Sequence, residues 1–304
     1  MTSSLLDRAT ARAAVALADR APSPHDTRPW RWRIGRTSVH LSADPSRRLP
    51  ATDPGSRDLL IGCGAALHHL RVALRAAGLA PCVHRLPDPA HPAHLAAVDV
   101  SPAEPAPDDL ALAQAVEHRR SDPRVYSPWP VPAELLADLV RAAAGETARL
   151  TVLAARARRE VVRLVEEAAW SGRSRGSVDG VPVRDLAGGA LRLAGDGSGG
   201  SVLAVLTTAG DGPADRLRAG EALSAVLLTA TAVGLATDPV GRPLEVPHVR
   251  ARLAALCAGV SPDAPGTPQA LVRLGWAPVS ADPVPATRRR PVDEAVDPLD
   301  APWS

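Results

Sequence analysis

Residues 58–80 (DLLIGCGAALHHLRVALRAAGLA) lie on residues 214–236 (ADRLRAGEALSAVLLTATAVGLA) without a gap, at an offset of 156 in a chain of 304. Gly64, Ala66, Leu67, Gly78, Leu79 and Ala80 recur as Gly220, Ala222, Leu223, Gly234, Leu235 and Ala236. A repeat spaced by about half the chain points to two copies of one unit, but Ala-rich helices also align by chance. At this level duplication and coincidence both stay open.

Helical periodicity spans residues 5–19, 57–77, 107–118, 132–144, 158–170, 213–233 and 247–257. Strand-like runs fall at 30–34 and 38–42, around Gly35-Arg36 as a hairpin, and at 82–86, 95–100, 150–155, 202–207 and 270–276. Hairpins stand beside crossovers, so the expected class is α+β, a mixed sheet flanked by helices. Pro and Asp crowd residues 87–109, which reads as a link between an N-terminal half, 1–105, and a C-terminal half, 106–304. Residues 171–200 hold nine glycines in 30 positions and read as a structureless insertion or a lid over a site. The Pro- and Asp-rich tail after Arg290 is expected to wrap or fray.

Composition excludes several classes of function. Basic and acidic residues number 35 and 33, a net charge of +2 without the basic stripe of a nucleic-acid binder. Every basic residue is Arg, so a Walker A loop, a Schiff-base lysine and a Ser-x-x-Lys centre are absent together. Cys63, Cys82 and Cys257 form no Cys-x-x-Cys pair, which argues against a zinc ribbon or a disulfide framework and fits a reducing cytoplasm. The longest uncharged stretch, 222–237, is 16 residues, short of the ~20 of a membrane span. It reads as a buried helix. No signal-peptide core is expected at the N-terminus, where Asp7, Arg8, Arg12 and Asp19 interrupt the apolar pattern.

Among local motifs, residues 62–67 (GCGAAL) begin like a dinucleotide-binding turn but lack its third glycine and the closing acidic residue, so close helix packing explains them better. His68 and His69 point about 100° apart on a helix and make a poor metal pair. His91 and His94 read as surface residues of a Pro-rich loop. Arg119-Arg120-Ser121 and Arg288-Arg289-Arg290 offer guanidinium forks and a hydroxyl that suit a phosphate dianion, against the plain alternative of solvated surface. Pro22-Ser23-Pro24-His25-Asp26 places a hydroxyl, an imidazole and a carboxylate on a stiff loop feeding a strand, where binding groups collect; the alternative is a helix stop and a strand start.

At that loop the chain resembles the nitroreductase superfamily, and within it the Acg branch of FMN-binding proteins. The superfamily's Pro-Ser-x-x-Asn-x-Gln-Pro-Trp loop is similar to residues 22–30, its core helix ending in Gly-Leu to 221–235, its Pro-Val-Gly turn to Pro239-Val240-Gly241, its Arg-Arg-Ser/Thr phosphate motif to Arg119-Arg120-Ser121, and its C-terminal basic segment to 288–294. The Acg branch adds Gly-Ala-Ala-Leu (64–67), Asp-Gly-Val-Pro (179–182) and Pro-Leu-Glu-Val-Pro (243–247). The resemblance implies a nitroreductase-like α+β fold with two related halves fused in one chain, a monomer imitating a dimer. Residues 171–200 would then be the lid.

The resemblance further implies FMN, with NAD(P)H as electron donor and a nitroaromatic, quinone or similar small-molecule acceptor. Arg119, Arg120, Ser121 and Arg289 would hold the phosphate, with Arg288 and Arg290 as near alternatives. Pro22, Ser23, His25 and Asp26 would face the ring, and Pro239, Val240 and Gly241 would present backbone to its reactive edge. No side chain is assigned as a catalytic nucleophile, no metal, nucleic-acid or membrane partner is expected, and the single Arg-Arg-Ser pattern implies one flavin per chain. The Acg branch carries a second expectation, an FMN-sequestering protein with little reductase turnover. Three positions depart from the superfamily pattern: Asp26 replaces Asn, Arg28 replaces Gln, and Pro123 stands at a basic position, with Arg124 one step late. A carboxylate only accepts hydrogen bonds, so Asp26 cannot donate to a flavin carbonyl unless protonated, and it stands where it can pair with Arg28.

Overall fold

The computed structural model describes residues 6–50, 53–172, 176–179, 181–194, 200–260, 266–279 and 282–298. Helix α1 (Arg8–Ala18) starts where the Asp7 carboxylate accepts from the amides of Ala9 and Thr10, and it buries Ala11, Ala14, Val15 and Ala18. After a 3₁₀ turn at Pro24–Asp26 come strands β1 (Trp30–Ile34) and β2 (Ser38–Ala43), helix α2 (Arg57–Ala76), and strands β3 (Leu79–Arg85) and β4 (His94–Pro102). The alternation of β1 sends Trp30 and Trp32 into the core, both fully buried.

The second half follows with α3 (Pro107–His118), α4 (Ala133–Gly145), β5 (Arg149–Val152), α5 (Ala155–Ser171), the short hairpin β6 (Ser177–Val178) and β7 (Val181–Pro182), and α6 (Val183–Ala194). It continues with β8 (Val202–Thr208), α7 (Pro213–Ala232), β9 (Ala236–Val240), α8 (Pro247–Val260), β10 (Thr267–Gly275) and α9 (Val292–Ala295).

The two four-stranded sheets have one topology. The first runs β1-β2-β4-β3 and the second β5-β8-β10-β9, every pair antiparallel. In each, a long helix (α2 or α7) separates the second strand of the set from the third, and the fourth lies between them. Duplication therefore accounts for the repeat at offset 156. The two repeated helices pack on each other at Gly64 and Gly220. A Cβ on Gly64 would stand 1.9 Å from the Leu217 carbonyl oxygen, and one on Gly220 would stand 2.0 Å from that of Ile61. Gly64 serves helix packing, and a Cβ on Gly62 would stand 3.5 Å from Ser23 and 3.6 Å from Pro29, so these glycines are accounted for without a dinucleotide turn.

Three local expectations need correction. Residues 87–109 are not simply a link: β4 runs through them and pairs on both sides, with β2 and β3. His94 opens that strand, is buried, and its Nε2 lies 3.2 Å from His40 Nδ1, so it is no surface residue. Residues 171–200 are not structureless where they are described, because they hold β6, β7 and α6. Leu186, Ala190 and Leu193 form the buried face of α6, a helical spacing that the glycine count hid. The tail wraps rather than frays: Ala295 is buried, Val296 bridges to Trp32, and Arg31 pairs with Asp297. Among the described residues no helix is long and apolar enough to cross a membrane, and no cluster of His, Cys, Asp and Glu could hold a metal ion.

Candidate functional site

A cleft of about 410 Å³ lies between the halves, within the range of small-molecule and cofactor sites. The N-terminal half contributes the loop 21–26 and the first turns of α2, through Asp58, Ile61 and Gly62. The loop is conformationally demanding: His25, Asp26 and Arg28 have φ of 51°, 54° and 47°, the left-handed region that costs a residue with a Cβ about 1–3 kcal/mol. Hydrogen bonds hold it there. Ser23 Oγ accepts from the Arg28 amide at 2.9 Å, and Arg28 grips Asp26 through Nε at 3.0 Å and through Nη2, which also donates to the Arg288 carbonyl. The Asp26–Arg28 pairing raised by the sequence is present.

One end of the cleft is cationic. Arg119 ends α3, is 4% exposed, and neither its Nε nor its Nη1 has a hydrogen-bond partner. Its Nη2 donates to the Arg20 carbonyl at 3.4 Å, and Arg289 Nη2 donates to the same oxygen at 3.3 Å. The two arginine clusters, some 170 residues apart in sequence, thus converge on one acceptor. Burial, then the charges of Arg289, Arg120 and Arg20, lower Arg119 to about 10. Arg289 is lowered by burial too, against the pull of Asp26, whose Oδ1 accepts from it at 3.1 Å. Arg120 curls back onto the carbonyls of Glu117 and Arg119, both at 2.8 Å, and Ser121 is tied to Thr237 by an isolated parallel bridge.

Another wall is formed by Pro239, Val240 and Gly241, where β9 leaves the sheet. Arg57 of α2 fixes this turn from the opposite half: Nη1 donates to the Gln269 carbonyl at 2.5 Å, Nη2 to the Gly241 carbonyl at 3.4 Å and to Asp58 at 2.8 Å, and Nε to Glu245 at 2.7 Å. Asp238, 1% exposed, lies between Arg192 of α6, at 3.2 Å, and Arg273 of β10, at 3.5 Å. Burial raises the Asp238 carboxyl despite both cations.

Pro22, Ser23, His25, Asp26, Arg119, Arg120, Ser121, Pro239, Val240, Gly241 and Arg289 all line this cleft. Arg288 and Arg290 do not. Arg288 is exposed and offers only its carbonyl, while Arg290 is committed to Asp19 at 3.1 Å and to the Trp30 carbonyl at 2.7 Å. Arg124 pairs with Asp122 at 2.7 Å and leaves the missing basic position unfilled. The sequence reading missed Asp58, Arg192, Asp238 and Arg242, which also line the cleft. Only Asp58 gave a signal, as an acid in the first turn of a predicted helix.

Comparison with known proteins gives the family. The chain is 41% identical to "Putative NAD(P)H nitroreductase Rv3131" of Mycobacterium tuberculosis over 96% of its own length and 92% of that protein. The chain belongs to the nitroreductase family. Its Acg-like character is seen in 37% identity to "Putative NAD(P)H nitroreductase acg" of the same organism, over 93% of this chain and 94% of that one. Among solved structures, a nitroreductase with bound FMN from Bacteroides fragilis aligns with 59% of this chain and 94% of its own at 19% identity, with a TM-score of 0.43. No family model matches the chain.

Proposed function

We propose that the chain is an FMN-dependent NAD(P)H oxidoreductase of the nitroreductase type, reducing a nitroaromatic, quinone or similar acceptor. The observation that carries this reading is Arg119, a buried guanidinium with two nitrogens unpartnered in the lining of the cleft. A buried charge without a counter-ion is costly, and a phosphate dianion supplies both the charge and the acceptors that Arg119 lacks, with Arg289 beside it on the same carbonyl. The residues present therefore fit FMN.

Arg119, Arg120, Ser121 and Arg289 would hold the phosphate, and the 22–26 loop and the 239–241 turn would flank the ring. FMN held there would supply hydride acceptance from NAD(P)H and electron delivery to the acceptor. The chain itself binds, orients and excludes water. Arg57 keeps the 239–241 turn in register with α2, and the Asp26–Arg28 pair keeps the strained loop against Arg289. No side chain need act as a nucleophile. A cleft lined by two related halves supports a monomer that imitates a dimer, and the free thiols of Cys63, Cys82 and Cys257 support a cytoplasmic setting.

Titration with FMN and with riboflavin, followed by flavin fluorescence, tests the reading. FMN is expected to bind at least ~10-fold more tightly, about 1.4 kcal/mol, and Arg119→Met to erase the difference. Equal affinity for the two flavins in the unaltered protein would refute the phosphate assignment.

A further inference from the structure

Around buried Asp238, beside the 239–241 turn, cations outnumber the carboxylate. Arg273 is 1% exposed and donates to the carbonyls of Asp122 and Arg124, with Tyr126 stacked 4.2 Å away. The carboxylate of Asp122 is taken by Arg124, which leaves Asp238 as the counter-ion of Arg273. Asp238 also accepts from Arg192, so Arg192, Asp238 and Arg273 together carry one surplus positive charge. The side chains of Asp238 and Arg273 are 2% and 1% exposed, whereas that of Arg192 is 34% exposed and lines the cleft. The surplus is therefore presented by Arg192. Asp58, which lines the same cleft, belongs to a separate and net negative cluster in which Arg57 is shared between Asp58, at 2.8 Å, and Glu245, so the cleft wall presents one cation at Arg192 and one carboxylate at Asp58.

We propose that Arg192 is a specificity determinant, a cation that recognises an anionic group on the molecule docking beside the 239–241 turn. This rests on the oxidoreductase reading above and adds to it the chemical class of the molecule that exchanges electrons in the cleft: one carrying a carboxylate, sulfonate or phosphate next to its reactive ring. The guanidinium is held for this task. One of its nitrogens is anchored on buried Asp238, and the backbone of α6 is fixed by Leu186, Ala190 and Leu193 in the core. An anchored fork loses less freedom on binding an anion than a free side chain does. The anionic group has two sources, the acceptor or the dinucleotide donor, and the two arms of the test distinguish them.

The test uses FMN-loaded protein and Arg192→Gln. In the first arm, oxidised protein is titrated with naphthalene-2-sulfonate and with neutral 2-naphthalenemethanol, and binding is followed by the perturbation of the flavin absorbance, without turnover. In the second, the rate of flavin reduction by NADPH is measured against NADPH concentration under anaerobic conditions. Loss of one charge-assisted contact is expected to weaken the sulfonate by about 10-fold while leaving the neutral probe within about twofold, or to raise the half-saturating NADPH concentration by the same factor. Arg192→Lys should recover part of the loss. If Arg192→Gln shifts neither anion, or weakens charged and neutral probes alike, the assignment is overturned. A protein that takes up no FMN would instead refute the reading on which it rests, so the two failures are distinguishable.

Discussion

His68 Nδ1 and Ser224 Oγ are 2.8 Å apart, and their positions in the chain differ by 156. That is the offset of the internal repeat, so each residue meets the counterpart of itself. Gly64 and Gly220, separated by the same 156 positions, touch one turn earlier along the same crossing. Residues that meet their own equivalents mark the axis of an isologous interface. Here the axis runs through one chain, and the cleft between the halves lies where a subunit boundary would run.

The crossing gives a stability prediction. Alanine at Gly64 or Gly220 forces a methyl to within about 2 Å of a carbonyl oxygen that belongs to helix backbone and cannot step aside. Each substitution is expected to cost at least the ~1–3 kcal/mol of an overpacked core. Gly188→Ala, inside α6 with nothing within 4 Å of the new Cβ, should stabilise by about 0.5–1 kcal/mol. Denaturant midpoints of the three variants check the contrast.

Acid should destabilise the fold through four histidines that burial lowers, His40, His68, His69 and His94. Burial lowers His68 to about 4 and drives His69 well below 6.5, its fall deepened by the Arg119 charge. Below about pH 6.5 the unfolded chain takes up protons that the folded chain refuses, so stability falls as the pH drops toward 4. Asp53, Asp238 and Glu245, raised by burial, act in the opposite sense in the carboxylate range, so a comparison of about pH 7.5 with about pH 5.5 isolates the histidines. A lower urea midpoint at pH 5.5 is expected, with a smaller drop in His68→Leu.

The three consecutive arginines of the tail should separate by role. Arg289→Ala is expected to weaken FMN binding by at least ~10-fold, because it lines the cleft beside Arg119. Arg288→Ala should leave affinity unchanged, since only its backbone is used. Arg290→Met should leave buried Asp19 short of a counter-ion and cost stability, on the order of 3 kcal/mol. Isothermal titration together with thermal melts separates the three outcomes.

The second copy of the repeat predicts a stoichiometry. At the 156-residue offset, Gly241 corresponds to Arg85 and Ala65 to Glu221. Arg85 donates to Glu221 at 2.7 Å and 2.8 Å, and Arg71 bridges Glu221 and Glu146 at 2.9 Å and 2.6 Å. Where the cleft has a turn and open space, the twin position holds an ion-pair network on a carboxylate that is 0% exposed. One FMN per chain is expected at saturation; two would show that the network opens.

Much of this was legible in the sequence. The hairpin of β1 and β2 followed from apolar alternation around Gly35-Arg36, and α3 from Pro107 at its start and the break after His118. Burial patterns of period two and 3.6 are local, and they survive without tertiary information. α6 did not show, because glycine content argued for a loop while its anchoring face, Leu186, Ala190 and Leu193, takes effect only against α5 and the C-terminal half. β9 was hidden for a related reason: its residues 236–240 follow α7 after a three-residue connection through Gly234, where φ is 82°. At the site, spacing alone could not bring the arginine clusters together; the resemblance named them and both loops, and Arg119, Arg120 and Arg289 line the cleft while Arg288 and Arg290 do not. Arg192 and Asp238 meet across 46 residues, and no local pattern announces such a pair.

The central claim, a reductase built on a cleft between duplicated halves, is tested most directly by mixing FMN-loaded protein with NADPH under anaerobic conditions and following the flavin absorbance. Rapid bleaching, restored on adding a quinone, is the predicted result. A flavin that stays oxidised would contradict the reductase and point to sequestration, and a colourless protein that takes up no FMN would contradict both.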